Sequence, residues 1–356
     1  MVDLHIHTTY SDGADTLIEV LEKAQKLNLE YISITDHDNC KVYKELQKID
    51  VKKYFKGIII PGIEIKCVYD NGKLIELLGY GIDTDKMQEW ADEYYQDKTR
   101  EKLQQKYFDI MYDKAIGAGI KLKPKEQIEF DCKKNWASLT IYNAIKENKE
   151  NYSILPEDLM NDFDTFSKKY CANREFELYI DKTKDYPTVK ETVDIIRQCG
   201  GLVFVPHVYI YPWIDEVDKY LIGLKEKYGI NGVECFHSSF NEAQINYLLE
   251  FTNKNNIYKS GGSDYHGINK KSVELAYGKG NLHIEKQNVE PWIMLLQDYW
   301  EEKANQAQMN IMNKAMEVLD QYDSTKDESL KKQYVQLMLD KAKIDNLDET
   351  TIKKYI

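Results

Sequence analysis

The sequence predicts an α/β fold with a mostly helical insertion and a helical C-terminal extension. Strand and helix signals alternate through residues 1–86 and again through 187–285. Charged helical segments replace that alternation over 87–186, and helical periodicity runs from Pro291 towards the end. These breaks give three expected parts: one α/β domain from 1–86 and 187–285, an insertion at 87–186 acting as a substrate cap, and an extension at 286–356.

The first strand is Val2, Asp3, Leu4, His5, Ile6 and His7, followed by a polar loop through Gly13. Thr16 and Glu19 form the T-x-x-E pattern of a capping box, and Leu17, Leu21, Ala24 and Leu27 then recur on one helical face. Residues 31–35, 57–60, 63–65 and 74–81 read as strands, with Pro61 and Gly62 dividing the second from the third. The alternation predicts parallel strands joined by helical crossovers. Within the insertion, 87–116 and 141–149 carry helical signals. Beyond it the expected order is helix 189–200, strand 202–205, helix 214–228, strand 232–235, helix 242–255 and strand 257–260. In the extension Ile311, Ala315, Val318 and Leu319 form an apolar stripe. The extension can pack on the α/β domain, make an oligomer surface or bind another protein.

Apolar residues make up 42% of the chain, enough for a sizeable core, and no apolar run is long enough to span a bilayer. A strand directly after Met1 predicts no signal peptide, and hence a cytoplasmic protein. Six scattered cysteines without a CxxC pair predict reduced thiols, not a disulfide framework. A net charge of −12 opposes an extended nucleic-acid track but not a small phosphorylated substrate.

Histidine placement carries the chemistry. His5, His7, His37, His207, His237 and His266 all stand at or just past predicted strand ends, accompanied by Asp12, Asp36, Asp38, Glu64 and Asp264. In a barrel-like sheet such ends open on one face, where distant residues meet. Alternation puts His5 and His7 on the same side of their strand. Alone, that pair is no more than two histidines on a half-buried strand. Glu64 interrupts an apolar strand, where a carboxylate without a partner is costly and a metal ion removes the cost. Independent structural histidines would not all select strand ends. A mixed nitrogen and oxygen set suits zinc, manganese or iron. Asp36 and Asp38 are expected to orient ligands.

The segments DLHIHTTYSDG from residue 3, ISITDHD from 32, PGIEI from 61, ELLGYGID from 76, VPH from 205, GVECFHSSF from 232 and SGGSDYHG from 260 together resemble the polymerase-and-histidinol-phosphatase (PHP) family. The resemblance implies a distorted (β/α)7 barrel and two to three divalent ions. It places His5, His7, Glu64 and Asp264 on one ion, Asp12, His37 and His266 on a second, and Glu64 with His207 on a third. The third ion usually takes a histidine before the LLGY segment, and here that position is Glu76. The layout resembles bacterial members that cleave nucleoside bisphosphates or short oligonucleotides. Their Arg-Pro-His element has no basic counterpart in residues 138–145, whereas a later basic element falls on Arg174, a candidate substrate-binding residue.

The expected activity is hydrolysis of a small phosphorylated substrate, such as a nucleotide or nucleoside bisphosphate, by metal-activated hydroxide. His237, which follows a strand but is outside the ligand set, and Asp264 are the catalytic candidates; His237 is equally a candidate contact to substrate phosphate. The alternatives are a histidinol-phosphate-type phosphatase, a 5′-end exonuclease on short oligonucleotides, and a non-catalytic PHP module.

Overall fold

The structure is a computed structural model that describes residues 1–132 and 135–347; residues 133–134 of the expected insertion and 348–356 of the expected extension lie outside the described residues. In chain order the first elements are β1 (Val2–Ile6), α1 (Leu17–Lys26), β2 (Tyr31–Ile34), α2 (Lys41–Leu46), β3 (Ile58–Ile59), β4 (Gly62–Val68) and β5 (Leu74–Tyr80). Helices α3 (Thr84–Tyr95), α4 (Arg100–Gly117), α5 (Ala137–Glu147) and the single turn α6 (Phe163–Thr165) follow. Alternation resumes with α7 (Val189–Gln198), β6 (Leu202–Val205), α8 (Val217–Tyr228), β7 (Gly232–His237), α9 (Glu242–Asn255) and β8 (Tyr258–Gly262). The last helices are α10 (Glu290–Thr325) and α11 (Glu328–Leu347).

Local chemistry sets several of these boundaries. Thr16 accepts from Glu19 N while the Glu19 carboxylate accepts from Thr16 N, closing the expected capping box, and Leu17, Val20, Leu21 and Ala24 are buried behind it. Thr188 with Glu191 and Asn241 with Gln244 repeat the device at α7 and α9.

The strands form a mixed α/β arrangement of two sheets, β1-β2-β3 and β4-β5-β6-β7-β8. The first is parallel, as expected. In the second, β4–β5 and β5–β6 are antiparallel, and only β6–β7–β8 run parallel. The uniform parallel expectation is therefore corrected at β5. Five residues separate β4 from β5, too short a link for a crossover, so the two make a hairpin. The sheets meet through bridges between Ile6 and Tyr265 and between His37 and Glu64. At the first seam His7 N donates to Tyr265 O at 2.9 Å, and Asp264 N to His5 O at 2.9 Å. Gly262 permits this approach, because a Cβ there would lie 2.3 Å from that of His5.

The chain divides into two compact units: residues 1–70, 74–89 and the described chain from 188 onward, and residues 71–73 with 90–187. In the first, Val2, Leu4, Leu78, Tyr80 and Phe204 share a core with Trp292, Ile293 and Leu296 from the start of α10. Trp292 stacks on Tyr80 and donates to Lys259 O at 2.8 Å. After Lys326, at φ +56°, α11 folds back along α10. The second unit centres on Tyr107, Phe108, Met111, Ile141, Ile145 and Phe166. Among the described residues no helix is long and apolar enough to cross a membrane.

Candidate metal centre

Strand ends of the first unit deliver the polar side chains. β1 carries His5 and runs into His7, β4 carries Glu64, β7 ends on His237, and β8 leads into Asp264 and His266. The loop after β1 is pinned by Asp36, which accepts from Thr8 N at 2.8 Å, Thr8 Oγ1 at 2.6 Å and Ser11 Oγ at 2.5 Å. This brings Asp12 to the histidines. Asp38 accepts from Lys66 N at 3.1 Å. Asp36 and Asp38 are expected to orient ligands; these bonds hold the loop after β1 and the backbone of β4 instead of a ligand ring. Asp38, His207 and Asp264 have φ of +56°, +32° and +56°, so the chain turns sharply where it presents these groups.

Glu64, only 1% exposed, is the hub. Its Oε2 lies 3.2 Å from His5 Nε2, 3.2 Å from His7 Nε2 and 3.3 Å from His37 Nδ1. Its Oε1 lies 2.8 Å from His207 Nε2. Asp264 Oδ1 lies 3.5 Å from His7 Nε2 and 3.4 Å from His266 Nδ1. Asp12 reaches His266 at 3.1 Å, and His7 and His37 at 3.7 Å each. Among the described residues four overlapping groups could each hold an ion: His5, His7 and Asp264; His7, Asp12, His37 and His266; His5, Glu64 and His207; and His37, Glu64 and Glu76.

Their chemistry fits divalent metal. His7 Nε2, Asp12 Oδ1, His37 Nδ1 and His207 Nδ1 are buried without a hydrogen-bond partner, in a place where buried polar atoms are normally satisfied. Burial alone would depress His5, but the Glu64 and Glu234 carboxylates outweigh it and hold its pKa well above the ordinary histidine value. Burial likewise opposes ionisation of Glu64, yet His5 and His37 keep it well below the usual carboxylate range. A cation at the hub would take over the role that these protons serve.

Residues 3–155 match the PHP domain family. Over that stretch the chain resembles a PHP domain. It is a metal-dependent hydrolase of the phosphoesterase class. It is 23% identical over 269 residues to a phosphoribosyl 1,2-cyclic phosphate 1,2-diphosphodiesterase of Eggerthella lenta, covering 74% of this chain and 94% of that one. It is 26% identical over 266 residues to a 5′-3′ exoribonuclease of Haemophilus influenzae, covering 74% and 89%. A metal-dependent phosphoesterase structure from Bifidobacterium adolescentis superposes with a TM-score of 0.53 at 20% identity, over 80% of this chain and 93% of that one. That likeness is one of fold.

Within the first unit, His5, His7, Asp12, His37, Glu64, His207, Asp264 and His266 converge. Glu76 reaches the same neighbourhood, 3.5 Å from His207 Nε2, but its other oxygen is 3.1 Å from Lys66 Nζ. His237 is buried; Ser239 N donates to its Nδ1 at 3.1 Å, which leaves the proton on Nε2, 3.2 Å from Asp264 Oδ2. Burial depresses its pKa, so it stands neutral. Arg174 belongs to the second unit, is exposed, and donates to Asn71 O at 3.3 Å.

Sequence reasoning missed three supporting groups. Glu234 is fully buried and binds His5 Nδ1 at 2.8 Å and His207 N at 2.7 Å. Asp3 accepts from Ser263 N at 2.9 Å, Ser263 Oγ at 2.6 Å and Ala276 N at 2.7 Å, which fastens the turn before Asp264. Lys270 pairs with Asp264 Oδ2. The signal that exposed Glu64, a carboxylate inside an apolar strand, applies equally to Glu234 and Asp3.

Proposed function

We propose that this chain hydrolyses a phosphoester bond in a small phosphorylated substrate, a nucleotide or sugar-phosphate ester, with at least two divalent ions drawn from manganese, zinc and iron. One observation carries the reading: four imidazoles from three separate strand ends, those of β1, β2 and β6, lie within 3.3 Å of the buried Glu64 carboxylate. In this reading His5, His7, Glu64 and Asp264 hold one ion, and Asp12, His37 and His266 hold a second. His207 completes the hub.

Divalent ions bound there would supply Lewis acidity and lower the pKa of water from about 15.7 to roughly 7. The chain's own groups do the rest. Glu234 fixes the His5 ring through its second nitrogen. Asp36 locks the loop that carries Asp12. Lys270, at the Asp264 carboxylate, adds positive charge beside the ligands, where a phosphoryl group needs it. His237 keeps its proton on Nε2 beside the cluster, where it can donate a hydrogen bond to a phosphoryl or leaving-group oxygen. The net charge of −12 favours a small substrate over a long polyanion. The likeness to a cyclic phosphodiesterase and an exoribonuclease supports a phosphodiester among the substrates. The two sheets, joined by the bridges from Ile6 and from His37, are read as arcs of one distorted (β/α)7 barrel. Six free cysteines suit a reducing, cytoplasmic setting.

The test is hydrolysis, in the presence of manganese, zinc or ferrous iron, of a panel of phosphomonoesters including histidinol phosphate, nucleoside bisphosphates, cyclic phosphodiesters and 5′-phosphorylated oligonucleotides of increasing length. Turnover of a small ester that is lost in His7→Ala supports the reading. Turnover that rises steadily with oligonucleotide length, or that survives His7→Ala unaltered, refutes it.

A further inference from the structure

Lys66 follows Glu64 by two residues on β4, so both side chains leave the same face of the strand. Across the hairpin its registered partner is Glu76. The pairing is realised: Lys66 Nζ lies 3.1 Å from Glu76 Oε1. The second oxygen, Oε2, accepts from the Tyr211 hydroxyl at 3.3 Å, and that hydroxyl accepts in turn from Glu76 N at 2.9 Å. Glu76 is thus held on both oxygens by the protein at the side of the centre where it also faces His207 at 3.5 Å.

The His5, Glu64 and His207 group shares its one available His5 nitrogen with the first ion, because Glu234 holds His5 Nδ1 and only Nε2 faces the hub, so a third ion needs the corner formed by His37, Glu64 and Glu76. An ion in that site would share the Glu76 carboxylate with the Lys66 ammonium, and the two positive charges would repel at short range. A carboxylate at this depth needs one cationic partner, and the hairpin register already supplies it.

We infer that Lys66 is the resident cation at the Glu76 corner, so that the centre binds two divalent ions and not three. This rests on the metal-centre reading above. It also gives Lys66 a second role: its ammonium stands two residues from the hub, as a fixed positive charge toward which a substrate phosphoryl group can turn.

Metal counting tests the inference without recourse to activity. The full-length protein is stripped with chelator, reloaded with excess manganese, freed of loose ions by gel filtration, and counted by elemental mass spectrometry against protein concentration. The wild type is expected to hold two manganese ions per chain, Lys66→Gln three, and Glu76→Gln two. Three ions on the wild type, an unchanged count in Lys66→Gln or a lower count in Glu76→Gln overturns the inference while leaving the metal centre standing. No ion on the wild type overturns the centre itself. Anomalous diffraction at the manganese edge on wild-type crystals needs no variant: two peaks are expected, and a peak against Glu76 overturns the assignment.

Discussion

Glu234 grips His5: its Oε1 lies 2.8 Å from His5 Nδ1, while His5 Nε2 faces Glu64 Oε2 at 3.2 Å. The same carboxylate accepts from His207 N at 2.7 Å, so one buried group aims two of the imidazoles that meet at the hub. Removing a carboxylate that orients a metal-bound histidine lowers metal affinity by about 10–100-fold. Glu234→Gln is expected to show a loss of that size in a metal-buffered titration with circular dichroism unchanged. An affinity within twofold of wild type would remove Glu234 from the account.

His7 faces both Glu64, at 3.2 Å, and Asp264, at 3.5 Å, and its Nε2 has no hydrogen-bond partner. His7→Ala removes a ligand and not merely its support. We expect kcat/KM to fall by more than about 100-fold, beyond the range for supporting residues. Steady-state kinetics with saturating metal checks this.

Ions that bind the folded chain alone stabilise it, by about 2.7 kcal/mol at 100 times the dissociation constant. Chelation is therefore expected to lower the melting temperature by several degrees, at ~2–4 °C per kcal/mol for large domains. Differential scanning calorimetry with and without EDTA, followed by re-addition of manganese, measures it. A melting temperature indifferent to chelator contradicts the prediction.

Without ions, burial depresses His5 and His207 less than the neighbouring carboxylates raise them, Glu64 and Glu234 for His5 and chiefly Glu64 for His207. Both are shifted upward, so protons compete with metal near neutrality. Ion binding must displace protons, and affinity falls as pH drops. In the ion-free protein the sign for stability is also set: the contribution of these histidines is full at low pH and is lost as pH rises through their folded-state values. Calorimetric titration with manganese in two buffers of different ionisation enthalpy should give different apparent heats. Equal heats would show that no proton leaves.

Trp292 is fully buried between Tyr80 and Phe204, although it opens a helix far along the chain. Trp292→Ala should destabilise the protein by about 3–5 kcal/mol, as for other large core truncations. Urea unfolding gives the value. A loss below about 1 kcal/mol would mean that the start of α10 is not part of the core.

Much of this cluster was legible in the sequence because its candidate ligands sit at strand ends, and period-two alternation says which neighbours share a side, as for His5 and His7. The capping box at Thr16 and Glu19 was equally local. Strand direction was not: β5 is a short apolar run, and such a run reads the same whichever way it points. Glu234 and Asp3 carried the same signal as Glu64, a carboxylate within an apolar strand, but their partners, 229 and 260 residues away, were not open to any spacing rule. The Lys66–Glu76 pair follows from hairpin register, which appears only once β4 and β5 are known to run antiparallel.

The left-handed turns at Asp38, His207 and Asp264 set the architecture against its own chemistry. Each non-glycine residue in that region forgoes about 1–2 kcal/mol that a relaxed backbone would keep. A laboratory evolution run that rewarded heat resistance alone would therefore favour glycine at these three positions and dismantle the hydrolase as it hardened the scaffold.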